Sequence, residues 1–121
     1  MSTTINIKRI YEPPSKEDGY RVLVDRLWPR GMKKETAALD EWAKELSPSP
    51  DLRKWFCHDP KLWTTFQKHY KEELKTSEAV KTFLKTHATK KVITLLYAAK
   101  DEEYNHAIIL RQYLESQFAK K

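Results

Sequence analysis

Glycine is almost missing from this 121-residue chain: Gly19 and Gly31 are the only two. A P-loop or a dinucleotide fingerprint needs several glycines at fixed spacing so that backbone can close on phosphates, so both motifs are excluded. Cysteine is scarcer still. Cys57 stands alone, which rules out an internal disulfide and a multi-thiolate zinc site, and the four histidines lack the paired spacing of a metal cage. We therefore expect no metal and no cofactor. Long apolar runs are absent too: the longest, from Val92 to Ala99, is far short of the ~20 residues of a membrane span. Met1 to Lys8 has no apolar stretch of the signal-peptide kind. The expectation is a cytoplasmic protein with no membrane partner. No repeat, low-complexity tract or linker divides the sequence, so residues 1–121 read as one domain. A chain of this length buries roughly two-thirds of its extended surface on folding, enough for a core without staples.

What the chain does have is charge. Lys and Arg number 23 against 17 Asp and Glu, a net +6, which favours anionic partners by long-range attraction. The signs are mixed along the chain (Lys33, Lys34, Glu35; Lys71, Glu72, Glu73), the pattern of solvated helix faces and not of a polybasic tract. Nucleic acid is accordingly the lesser expectation and a small anionic ligand the greater.

Hydrophobic periodicity sets out the elements. Residues 5–10 alternate as a first strand; 12–19, with two prolines and Gly19, form a turn-rich connection; Val22, Leu23 and Val24 make an apolar run suited to a strand buried on both faces. Residues 25–34 read as an ordered loop, with Trp28 held extended before Pro29 and Gly31 free to take a positive φ. From Thr36, a plausible N-cap, Leu39, Trp42, Ala43 and Leu46 have helical spacing, although Trp42, Lys44 and Leu46 alternate equally well as a strand. Ser49 before Pro50 opens a short helix through Phe56, and Asp59 before Pro60 opens a longer one to about Leu74. Thr76 or Ser77 caps a further helix ending near His87, Val92 to Tyr97 is a second central strand, and a helix from about Tyr104 to Phe118 closes the chain. Strands separated by helices predict an α/β fold with a short, mostly parallel sheet flanked by helices.

In such sheets ligands bind beyond the carboxyl ends of the strands. Two segments qualify. One follows strand 20–25 and holds Asp25, Arg26, Trp28, Arg30 and Lys33; the other follows strand 92–97 and holds Tyr97, Lys100, Asp101, Asn105 and His106. If the two strands are parallel neighbours, guanidiniums, an ammonium, an aromatic floor and a helix N-terminus converge on one crevice, which suits a carboxylate or phosphate. Arg53 and His58 could join it from the Ser49 to Phe56 helix. Asp25 and His106 are the candidate proton-transfer pair. Each has a plainer reading: Asp25 as the partner that orients Arg26 and Arg30 in a structural ion pair, His106 as a hydrogen bond to nearby backbone, Asn105 as a helix cap, and Trp28 as packing that locks its loop. Ser49 is explained by its cap, and Cys57 beside His58 is more commonly inert packing than a thiolate pair.

The runs Val22-Leu-Val-Asp-Arg-Leu-Trp-Pro-Arg-Gly31, Pro48-Ser49 with Leu52-Arg53, and Leu95-Leu-Tyr-Ala-Ala-Lys-Asp101 with Asn105-His106-Ala107 resemble the bacterial YeaO-like proteins of the family called domain of unknown function 488. The likeness spans nearly the whole chain. It implies a small cytoplasmic α/β domain with signature positions at Asp25, Arg26, Trp28, Pro29, Arg30, Gly31, Ser49, Arg53, Lys100, Asn105 and His106, and it implies no reaction. Metal-free chemistry at a carboxylate or phosphate ester is one expectation; a nucleic-acid or partner-binding module without catalysis is the other.

Overall fold

Val22, Leu23 and Val24 are all fully buried, and so are Ile93, Leu95 and Leu96. Consecutive side chains on a strand point to opposite faces, so both runs must be covered above and below. The sheet therefore sits between two layers. The computed structural model describes residues 3–56, 59–100 and 105–119. Among these, four strands, β1 (Thr4–Arg9), β2 (Tyr20–Leu23), β3 (Glu41–Trp42) and β4 (Val92–Tyr97), form one sheet in the order β1-β4-β2-β3. Every neighbouring pair is parallel, so all four carboxyl ends share one rim. β2 and β4 are adjacent, with Leu23 opposite Leu96. The expected single α/β domain is what the chain adopts.

The two faces are unequal. On the larger lie Ile5, Val22, Val24, Ile93, Leu95 and Tyr97, packed with Phe66, Tyr70, Val80, Phe83, Leu110 and Leu114. These come from α3 (Trp63–Thr76), α4 (Glu78–Thr86) and α5 (His106–Ala119), and α2 (Pro50–Phe56) adds Leu52 and Phe56 to the same cluster. On the smaller face Ile10, Leu23 and Leu96 are covered by Ala37, Trp28, Met32, Leu39 and Trp42, part of it from the one-turn helix α1 (Lys34–Ala37). Helix starts follow the expected caps: the Ser49 hydroxyl accepts from the Leu52 N–H at 3.2 Å, the Asp59 carboxylate from the Lys61 N–H at 3.0 Å and the Ser77 hydroxyl from the Val80 N–H at 3.2 Å. Each accepts a backbone donor that the helix leaves unpaired.

Residues 36–46 depart from the helical reading. Thr36 caps nothing; α1 begins at Lys34, and Ala38, at φ 48°, ends it in the left-handed region. The chain then runs as β3 beside β2 and closes in a 3-10 turn at Lys44–Leu46. Long-range partners outweigh the local period here: the Asp40 carboxylate accepts the Arg21 N–H at 2.8 Å and the Trp42 indole donates to the Asp25 carbonyl at 2.7 Å. β2 is also shorter than the expected 20–25, although the Val24 N–H still reaches the Leu96 carbonyl at 3.0 Å.

At the amino end of the sheet the smaller face is polar. Asp18 pairs with the Arg21 guanidinium and, at 3.1 Å, with the Lys8 ammonium, while Arg21 also donates to the carbonyls of Ala37 and Ala38. Gly19 beside it has φ +64°, and a Cβ there would stand 2.5 Å from the Val92 carbonyl oxygen; only glycine lets the connection pass this close. Burial pushes the Asp18 carboxyl up, but the Ser15 N–H, Lys8 and Arg21 outweigh it and hold the group below its ordinary 3.8. A depressed carboxyl pKa contributes stability that is fully present above the unfolded value and is lost as pH falls through the folded one. Urea unfolding at a series of pH values should therefore show the stability gap between wild type and Asp18→Asn narrowing below about pH 3.8; a gap that ignores pH would contradict this assignment.

Candidate functional site

The carboxyl rim is stitched together by Asp25. Its Oδ2 accepts the Ala98 N–H at 2.8 Å, its Oδ1 lies 3.4 Å from His106 Nε2, and its own carbonyl accepts from Trp42. A single residue beyond β2 thereby holds the end of β3, the segment after β4 and the start of α5. His106 Nε2 also lies 2.9 Å from the Val24 carbonyl oxygen. A carbonyl can only accept, so Nε2 carries the proton and donates it to backbone. Asn105 caps α5, its Oδ1 accepting the Ile108 N–H at 3.3 Å, and it is fully buried.

Above this stitch lies a recess of about 330 Å³ lined by Asp25, Arg26, Trp28, Arg30, Arg53 and His106, with Tyr11, Leu27, Pro29, Ser47, Ala98 and Ala99 completing the wall. Six of the residues singled out from the sequence thus meet. Tyr97 does not line it: the side chain is 4% exposed and belongs to the larger core. Lys100 is exposed and outside the lining, Asn105 is occupied as a cap, and Lys33 sits in the residue before α1. Asp101, Cys57 and His58 lie outside the described residues. Trp28 locks its loop, its indole donating to the Met32 carbonyl at 2.7 Å and its ring edge meeting Trp42, yet it still forms part of the wall. Ser49 is more than a cap: its hydroxyl donates to Glu73 Oε2 at 2.6 Å.

Tyr11 was not foreseen. The rim rule applied to β1 as well would have found it, since the residues after β1 reach the same edge; its hydroxyl donates to the Arg30 carbonyl at 2.9 Å and Arg9 lies over its ring. Ser47 and Pro29 follow from the same parallel arrangement and carry no distinctive sequence signal.

The charge balance of the recess is uneven. Three guanidiniums line it, and among the described residues no ion pair involves Arg26, Arg30 or Arg53. Arg26 makes one long bond, from Nη2 to the Pro48 carbonyl at 3.4 Å, and its Nε has no partner. Asp25 does not orient the arginines in an ion pair; it serves Ala98 and His106. Nearby, Tyr70 is fully buried and donates to the Leu46 carbonyl, and burial, followed by the negative charges of Glu73 and Asp25, holds its hydroxyl protonated well above the ordinary range. No helix among the described residues is long and apolar enough to cross a membrane.

Comparison with known proteins agrees with the resemblance seen in the sequence. A family model described as the inactive DUF488-N3 subclade matches residues 4–121. The chain is 48% identical over 112 residues to the uncharacterized protein YeaO of Escherichia coli, covering 93% of this chain and 97% of that protein. It is 37% identical over 112 residues to an uncharacterized protein of Mycobacterium bovis, covering 93% and 94% respectively, and equally to one of Mycobacterium tuberculosis. No solved structure matches the chain.

The geometry separates residues that hold the rim from residues that face outward. Arg30, exposed and without an ion pair, should change stability by less than about 0.5 kcal/mol when replaced by Ala. Asn105→Ala should cost about 1 kcal/mol or more through the lost cap. Chemical denaturation of both variants checks the ordering, and an Arg30→Ala protein that unfolds would make the arginine cluster a scaffold.

Proposed function

The chain belongs to the DUF488 family, and we propose that this member binds a small anion, a carboxylate or phosphate, at the carboxyl rim of its sheet without turning it over. The single observation that carries the reading is the set of three guanidiniums lining one recess, with no carboxylate among the described residues paired to any of them. Arginine forks match carboxylate and phosphate oxygens in paired hydrogen bonds, and a structural arginine in this fold looks different: Arg21 has Asp18 and two carbonyls as partners. The recess volume, about 330 Å³, falls within the range of small-molecule pockets. Its limited extent favours a small molecule over a nucleic-acid backbone, which needs an extended basic track.

Binding is preferred to catalysis on two grounds. The family model that spans the chain is described as inactive. Asp25 and His106, the pair suited to proton transfer, are both committed to backbone: the carboxylate to the Ala98 N–H and the imidazole to the Val24 carbonyl. A general base needs a lone pair aimed at the substrate proton, and the His106 Nε2 that faces Asp25 and Val24 carries a proton there instead.

Calorimetric and thermal-shift titration with inorganic phosphate, sulfate and acetate tests the reading. A ligand at a hundredfold its dissociation constant stabilises by about 2.7 kcal/mol. Arg26→Ala and Arg53→Ala should each weaken phosphate binding roughly tenfold, the cost of one charge-assisted hydrogen bond. Absence of any shift with all three anions would overturn the proposal; binding of mixed DNA or RNA at low salt in its place would make the recess part of a nucleic-acid surface.

A further inference from the structure

A second cavity adjoins the recess, and the two share Arg53 and His106 in their walls. This one measures about 370 Å³ and is lined by Pro48, Pro50, Lys54, Phe56 and Phe66 together with the shared pair. Its character is opposite to that of the recess. The Phe56 and Phe66 rings stack at 4.2 Å with only 18° between their planes, two prolines stand in the same wall, and the polar groups of the lining are cationic or imidazole, with no carboxylate among them.

Resting on the anion-binding reading above, we propose that the ligand is an amphiphilic anion with an aromatic ring, an aryl phosphate or aryl carboxylate, whose charged group sits among Arg26, Arg30 and Arg53 while its ring enters the cavity beside Phe56 and Phe66. The Phe56 and Phe66 faces are taken up by their mutual stack and both residues are buried, so a planar apolar group between the prolines would meet them at their edges. Arg53 fits the junction, because a guanidinium offers donors in its plane to the anion and a face to an aromatic ring. The aromatic cavity has no carboxylate in its lining, and the one carboxylate of the recess, Asp25, is hydrogen-bonded to the Ala98 N–H beside three guanidiniums. An inorganic anion would use only the recess and leave the aromatic cavity empty.

The experiment compares inorganic phosphate with phenyl phosphate on the wild-type protein by calorimetry, with nuclear Overhauser contacts from the phenyl protons as the positional readout. Burial of a ring at roughly 25 cal/mol per Å² predicts phenyl phosphate binding about tenfold to a hundredfold tighter than inorganic phosphate, with contacts to the Phe56 and Phe66 ring protons. Phe56→Leu keeps the site apolar and should reduce that affinity ratio several-fold. Phosphate binding with no gain from the phenyl group would overturn this inference and leave the anion-binding reading standing. Tight binding with phenyl contacts elsewhere, or a ratio unchanged in a folded Phe56→Leu protein, would also overturn it. If neither compound binds, both readings fall together.

Discussion

The carboxylate of Asp25 is the interaction on which the rim depends. Parallel strands deliver their carboxyl ends to one edge, but the chain leaves each strand into a loop with its own unpaired backbone groups, and nothing in strand pairing fixes those loops against one another. Asp25 does so from a single position, by accepting the Ala98 N–H, approaching His106 at 3.4 Å and offering its carbonyl to Trp42. It is half-sheltered, with 18% of its side chain exposed against 17% for His106, which strengthens these bonds without imposing the full cost of burying a charge. It lines the recess beside the arginines, and among the described residues it forms an ion pair with none of them.

Two kinds of arginine follow from this arrangement. At the amino end of the sheet Arg21 is buried and saturated, with Asp18 and the carbonyls of Ala37 and Ala38 around its guanidinium. At the carboxyl end Arg26, Arg30 and Arg53 surround a recess, and among the described residues their guanidiniums make one long hydrogen bond, from Arg26 to the Pro48 carbonyl. Like charges in a concave place repel one another, and it is this repulsion that the proposed anion would relieve. The family description as inactive is consistent with this division, since the groups suited to proton transfer are the ones that hold the rim.

Much of this was legible in the sequence because it is local. Val22 to Val24 and Val92 to Tyr97 are apolar without alternation, which only strands covered on both faces require, and their being parallel neighbours brings residues near 25 and 106 together. Serine, aspartate and asparagine before helices announced their caps. β3 was not legible: Leu39, Trp42 and Leu46 keep a helical period, and what breaks the helix is non-local, the Arg21 N–H on Asp40 and the Trp42 indole on Asp25. Tyr11 was hidden for a related reason, since its place in the recess depends on β1 lying beside β4, and strand order is not written in any one segment. Tyr97 and Lys100 flank Ala98 and Ala99 at the end of the same strand but stand outside the recess lining. Residues at the end of a strand alternate between core and rim, and Tyr97 falls on the core side.

The most direct measurement is the phosphate affinity of an Asp25→Asn protein. The amide oxygen can still accept the Ala98 N–H, so the rim is kept while one negative charge leaves the recess. If Asp25 is a stitch and the arginines are the binding groups, the folded variant binds phosphate roughly two- to tenfold tighter than wild type, the gain expected from removing a nearby like charge in a solvated site. A folded variant that binds phosphate more weakly would mean that the carboxylate itself meets the ligand, and the account of the rim would be wrong.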